Sequence, residues 1–443
     1  MSGGTQEIAR IAGFAAALGA AVAAGRSALR PPAEAEESAA SSRPALLAPA
    51  PACDAAIQLP DGFCAGLFAD GLPGPRHLAV RPDGDVLVAA QGRGGRRGGG
   101  AATPGGVFVL RDADGDGRAD VQERFGPSGG HGILLRGDTV YFAPNDAVLR
   151  YRLPAGALRP AAGPDTIVKD LPYQRSHPTK TPVIGGDGAL YVGIGSPSNV
   201  CSQGRGVGAS QPDPCPELET RAGIWRFDAS RLGQTQTDGE RFATGIRNPV
   251  AITTHPRTGE VYALQHGRDQ LQRFSQWFDA ERGAENPSEE LLHVQRGDDF
   301  GWPYCYHDGG HERKTLAPEY GGDGEVEGRC ASVQEPIAHY PGHWAPNGIV
   351  FYDADQFPAS YRGGAFIAFH GSWNRAPLPQ EGFRVVFQPF SNGSPGGEYM
   401  NFAMGFQDID ARPVGVAVGP DGSLFVSDDA TGKIWRIRYT AGR

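Results

Sequence analysis

The residues here whose types and spacing promise chemistry by themselves lie in DADGDGRADVQE, positions 112–123. Calcium takes about 6–8 hard oxygen ligands, and an EF-hand loop supplies them at fixed offsets. Asp112, Asp114, Asp116, Asp120 and Glu123 fall at the first, third, fifth, ninth and twelfth places of such a loop. Gly117 takes the sixth place, where the chain must turn sharply, and the backbone carbonyl of Arg118 takes the seventh. The preceding GGVFVL reads as a strand, so the expectation is a calcium-stabilised loop within a β-unit, structural in role, and not a helix–loop–helix sensor. The plain alternative is an acidic, solvated turn.

Other chemistries are excluded. Arg93, Arg96 and Arg97 lie among glycines in a single short loop without aromatic neighbours, unlike a nucleic-acid platform. Net charge is −9 and no basic block dominates, so no nucleic-acid partner is expected. The glycine runs of residues 92–106 do not lead from a strand into a helix, as a dinucleotide fingerprint requires, and neither a serine-hydrolase elbow nor a phosphate loop occurs.

The elements that must position any site show as a repeat. A turn, Asp-Gly or an equivalent, precedes an apolar run in RPDGDVLVAAQG from Arg81, RGDTVYFAPND from Arg136 and GGDGALYVGIG from Gly185. It returns in HPRTGEVYALQHG from His255, YRGGAFIAFHG from Tyr361 and GPDGSLFVSDD from Gly419. Such a turn needs positive φ, and the alternation after it buries one face of a strand. Each copy follows another apolar run, so six copies predict an all-β, six-bladed β-propeller spanning residues 52–443. The gap from Gly267 to Ile349 is the longest: a long loop insertion in the second half, helix-like around Phe274–Gly283 and expected over one mouth of the propeller.

Before the propeller, residues 1–25 carry the apolar stretch IAGFAAALGAAVAAG after Arg10, read as a signal peptide or an N-terminal anchor. Residues 26–51 are a linker rich in alanine and proline. Membrane contact is expected only through that first segment if it is not cleaved. Six cysteines agree with export to a periplasmic or secreted location. Proximity favours Cys53/Cys64, Cys201/Cys215 and Cys305/Cys330 among the ~15 connectivities that six cysteines allow.

Three segments bring a family into view. SHPTKTPVIGGDGALYVGIG from Ser176, TGIRNPVAI around Arg247 and Asn248, and the blocks LQHGRDQ and GDDFGWPYCY resemble PQQ-dependent glucose/sorbosone dehydrogenases. HGSWNR and DPCPELETRAGIWRFDA are most similar to the sorbosone dehydrogenase-like branch, and the resemblance runs from about Leu59 to Tyr439. It implies hydride transfer from a sugar to pyrroloquinoline quinone (PQQ), electrons then leaving to an external acceptor such as a cytochrome or a quinone. It implies His177 as the base and Arg247 beside it in catalysis, with Arg247, Asn248 and Arg412 on the cofactor. It also implies a calcium held by the backbone of Gly267 and Arg268.

The sequence departs from that pattern at two cations. The family lysine after the fifth-blade strand is replaced at Gly371 or a neighbour, and a late arginine is replaced by Val414; His343 and Arg375 stand where they could compensate. His370 and Trp373 fall near the same mouth, whereas Trp302 and Tyr304 read as core or lid aromatics. Two other functions compete: a calcium-stabilised, non-catalytic propeller that binds carbohydrate or protein, and a metal-dependent lactonase. The lactonase would need carboxylates such as Asp269 and Asp298 aimed at a central metal.

Overall fold

The computed structural model describes residues 52–94, 102–202 and 211–441, all within the compact unit Leu47–Arg443. The N-terminal segments at 1–25 and 26–51, with Arg96 and Arg97, lie outside the described residues. No helix among those described is long and apolar enough to cross a membrane.

Six four-stranded antiparallel sheets follow one another along the chain. Their first strands are Pro75–Val80, Gly132–Arg136, Pro182–Ile184, Ala251–Thr254, Pro346–Phe351 and Pro413–Val418. These six strands neighbour one another in a closed ring and all line a central cavity of about 310 Å³. The sheets are therefore blades around a channel. The sixth blade takes its outermost strand, Phe63–Ala69, from the start of the propeller, where it pairs with Lys433–Tyr439.

Each repeated turn joins the first strand of a blade to its second. Gly84, Gly137, Gly188, Gly259, Gly363 and Gly422 hold it at φ between 55° and 93°, a region closed to most side chains. The second strands are more buried than alternation implies. Leu190–Ile194, Val261–Gln265, Ala365–Phe369 and Leu424–Asp428 are buried at every position, because neighbouring blades cover both faces.

The long insertion differs from its expected form. It is interrupted by the third strand of blade four, Glu289–Val294. The helix covers only Ala280–Glu285, because Asp279 caps it by accepting from the Arg282 N–H. The helical spacing of Phe274, Trp277 and Phe278 belongs to an irregular segment, in which Phe278 is buried and Phe274 stacks on Trp277. The second part of the insertion carries a hairpin, Cys305–Asp308 with Arg313–Leu316. The disulfides are Cys53–Cys64, Cys201–Cys215 and Cys305–Cys330, the pairing that proximity favours.

Candidate active site

In an antiparallel pair the start of one strand lies opposite the end of the next: Ala251 faces Leu264, Pro346 faces Phe369 and Pro413 faces Asp428. Residues entering the first strands and leaving the second strands therefore share one mouth of the channel. His131, Lys180, Arg247 and Arg412 come from the former; Ser196, His266, His370 and Asp429 come from the latter.

His177 stands on the loop before blade three at φ 47°, an unusual conformation for a non-glycine residue. Its Nδ1–H donates to the Ser196 carbonyl at 2.8 Å, which leaves Nε2 as a lone-pair acceptor without a partner among the described residues. Burial, and then the charge of Arg247, push its pKa down to about 3, so the ring is neutral. Arg247, buried, donates to the carbonyls of Asn199 (3.3 Å) and Gly267 (2.9 Å) and to Asp269 Oδ2 (2.8 Å). Two of its five N–H groups remain. Asn248 donates from Nδ2 to His266 Nδ1 at 3.2 Å, and His266 Nε2–H donates to the Pro346 carbonyl.

The other expected contacts fall less centrally. Arg412 donates to the carbonyls of His370 (3.0 Å) and Gly371 (2.8 Å) at the mouth. His343 donates from Nε2 to the carbonyls of Gly283 and Asn286, and its Nδ1 lies 3.8 Å from Asp269 Oδ1. Arg375 spends its donors on the carbonyls of Pro379, Ala284 and Gly342 and lines a separate cavity of about 690 Å³, so it braces blade five against the insertion. Trp302 packs beside the Cys201–Cys215 bridge, a core aromatic.

Part of the mouth was not anticipated. Arg76 of blade one donates to Asp429 Oδ2 at 2.5 Å and to His131 Nδ1 at 3.0 Å. Asp429 also accepts from His370 Nε2 at 2.8 Å, and its two partners hold its carboxyl well below the usual range against the opposing effect of burial. Thr179 bonds the same His131 nitrogen at 3.1 Å. That leaves His131 Nε2–H buried with no acceptor among the described residues. Lys180, wholly buried, places Nζ on the Pro178 carbonyl at 2.9 Å, and burial lowers its pKa to about 8. Glu289, buried under Gly267 and Ala345, accepts from both backbone N–H groups at 2.9 Å, and burial raises its pKa to about 8.

These donors suit a polyanionic acceptor. Arg76, Arg247 and Arg412 face two ionised aspartates, Asp269 and Asp429, Lys180 stands near His131, and His131 offers an N–H unanswered among the described residues. The Gly267 carbonyl, expected as a calcium ligand, accepts from the Arg247 guanidinium, while the Arg268 side chain pairs with Glu319, a contact that does not involve its backbone carbonyl.

The acidic loop lies elsewhere, between strands Thr103–Arg111 and Val121–Phe125 of blade one. The carboxylates of Asp112, Asp114 and Asp116 converge within 4.8 Å, the one such group of three among the described residues. Asp116 accepts from the Arg118 N–H and Asp120 from the Ala113 N–H. Glu123, expected as the twelfth ligand, sits in the following strand with its carboxylate on Arg159 instead. Asp269 and Asp298 belong to no carboxylate cluster among the described residues: Asp269 pairs with Arg247 and Asp298 accepts from the Gln295 N–H.

The profile of the TrAA12-like family matches residues 57–440. The chain is similar to the pyrroloquinoline quinone-dependent pyranose dehydrogenase of Coprinopsis cinerea, 25% identical over 87% of this chain and 55% of that one. The pyrroloquinoline quinone-dependent sugar dehydrogenase of Hypocrea jecorina is 24% identical over 86% of this chain and 89% of its own length. This chain spans about half the length of the Coprinopsis enzyme and of an uncharacterized protein of Borreliella burgdorferi that it matches in part. A calcium structure of the Trichoderma reesei family AA12 enzyme superposes with a TM-score of 0.70 at 22% identity, covering 89% of this chain and 99% of that one. At that identity the likeness shows the fold.

Proposed function

The chain belongs to the TrAA12-like family, and from that membership we propose that it is a quinoprotein dehydrogenase oxidising an aldose or a related sugar aldehyde such as sorbosone. The reaction named for the Coprinopsis and Hypocrea relatives supports the class. Three disulfides support an oxidising compartment, periplasmic or secreted. Pyrroloquinoline quinone, when bound, supplies the two-electron acceptor, and a cytochrome or a quinone outside the protein takes the electrons onward.

The observation that carries the reading is His177 with one nitrogen committed to a carbonyl and the other free beside a cationic mouth. Arg76, Lys180, Arg247, Arg412 and the His131 N–H would hold the carboxylates of the cofactor, with Asn248 beside them. Neutralising Arg247 in this way raises the basicity of His177, since that charge is what depresses it after burial. Nε2 then takes the proton of the sugar hydroxyl, and the Ser196 carbonyl keeps the ring in the tautomer that can do so.

Reconstitution with the quinone and a dye acceptor tests this. Wild type should bind the quinone and reduce dye with an aldose or sorbosone. His177→Ala should still bind it and lose about 10²–10⁴ in kcat. Quinone uptake without any sugar-dependent reduction would sink the proposal. The alternative, a non-catalytic carbohydrate- or protein-binding propeller, has one observation in its favour: a side chain at Gly371 would meet the Phe383 ring, so a lysine there would have to displace that ring.

The Asp112–Asp114–Asp116 loop is proposed as a structural calcium site, supported by its spacing and by the convergence of its carboxylates.

A further inference from the structure

Large hydrophobic side chains left in water are few among the described residues, and the aromatic ones share one place. Trp373 is 67% exposed, Tyr173 64% and Trp277 38%. All three stand on loops around the mouth: 169–181 between blades two and three, 266–288 in blade four and 370–383 in blade five.

These are not loose loops. Trp373 lies between Ser372 and Asn374, both buried. The Ser372 N–H donates to the Glu381 carbonyl and its hydroxyl accepts from the Glu381 N–H, both at 2.8 Å. Asn374 reaches Asp269, the partner of Arg247, and accepts from Gln272 at 3.3 Å, which ties the Trp373 loop to the one bearing Trp277. Tyr173 precedes Gln174, which is buried and donates to the carbonyls of Gly195 (2.6 Å) and His177 (3.2 Å). Each ring thus projects from backbone that neighbouring residues pin. An indole or phenol held open at fixed positions offers a broad apolar face with a polar edge and loses little entropy when covered.

Resting on the proposed sugar chemistry, we infer that these aromatics form a platform for a carbohydrate chain, so that the substrate is the end of a neutral oligo- or polysaccharide. The apolar C–H face of a pyranose stacks on such rings, while its hydroxyls meet the polar side chains between them. Rings on loops of successive blades engage sugars beyond the one that reaches His177, which a free monosaccharide cannot use.

The test needs no cofactor and so can fail separately from the dehydrogenase reading. The chain is titrated with glucose and with cellohexaose, mannohexaose and maltohexaose, following tryptophan fluorescence and heat. At least one hexasaccharide should bind tenfold or more tightly than glucose. Trp373→Ala should remove most of that gain at an unchanged melting temperature, and Trp373→Phe should keep most of it. Hexasaccharides that bind no better than glucose would overturn the inference. So would a Trp373→Ala variant whose affinity for the hexasaccharides is unchanged.

Discussion

The proposal of His177 as the base rests on a ring committed at one nitrogen and free at the other, and that arrangement depends on a carbonyl two blade-elements away in sequence. The same scale explains the missing family lysine. Gly371 sits at φ 96°, and a Cβ there would lie 2.3 Å from the Phe383 ring, on the loop that Arg412 clamps. Gly371→Ala is therefore expected to cost about 1–3 kcal/mol in urea unfolding, from backbone strain and overpacking together. A neutral result would show that the loop gives way and reopen the position to a lysine. The gathering of His177, Arg247 and Asn248 at one mouth was legible in the sequence because short motifs surround them, and that of Arg412 through its match to a late arginine of the resembled family. Arg76, His131 and Asp429 were not. They come from blades one, two and six, and only ring closure makes Arg76 and Asp429 a pair.

Among elements, the turns between first and second strands were the most legible, since a glycine with positive φ at a fixed offset is a local demand met six times. The insertion was the least legible. Phe274 and Phe278, at helical spacing there, serve packing, and the capping aspartate sets the helix start after them. The hairpin of blade one that bears the acidic loop invites a direct test. Millimolar calcium should raise the melting midpoint by about 2 °C or more, through preferential binding to the folded state. Asp112→Asn with Asp114→Asn should abolish the rise. Magnesium, which demands tighter octahedral geometry, should do less. An equal response in wild type and variant would leave the loop as a solvated turn. Glu123 is expected to be dispensable for the effect, as its carboxylate serves Arg159.

Across the whole molecule, the mouth gathers six imidazoles whose basicity burial depresses: His77, His131, His177, His266, His343 and His370. For His77 and His266 the folded pKa falls from 6.5 to about 4. A depressed folded pKa means that the unfolded chain binds the proton first. The stability of these groups is thus complete above about pH 6.5 and lost as pH falls towards 4. Thermal melts should fall steeply across that window, and His77→Gln should flatten the slope; a slope unchanged in the variant would show that other groups govern it. The ring itself has one more consequence. Its last blade joins the first strand of the propeller, Phe63–Ala69, to its last, Lys433–Tyr439. A ring closed by its own two ends cannot be finished while it is being made. During synthesis five blades stand without their seal, and the early strand waits with an open edge until the last strand of the propeller has been made. Machinery that handles unfolded polypeptides therefore has the whole synthesis of the propeller in which to act. A premature stop in the final blade would leave that early strand unpaired.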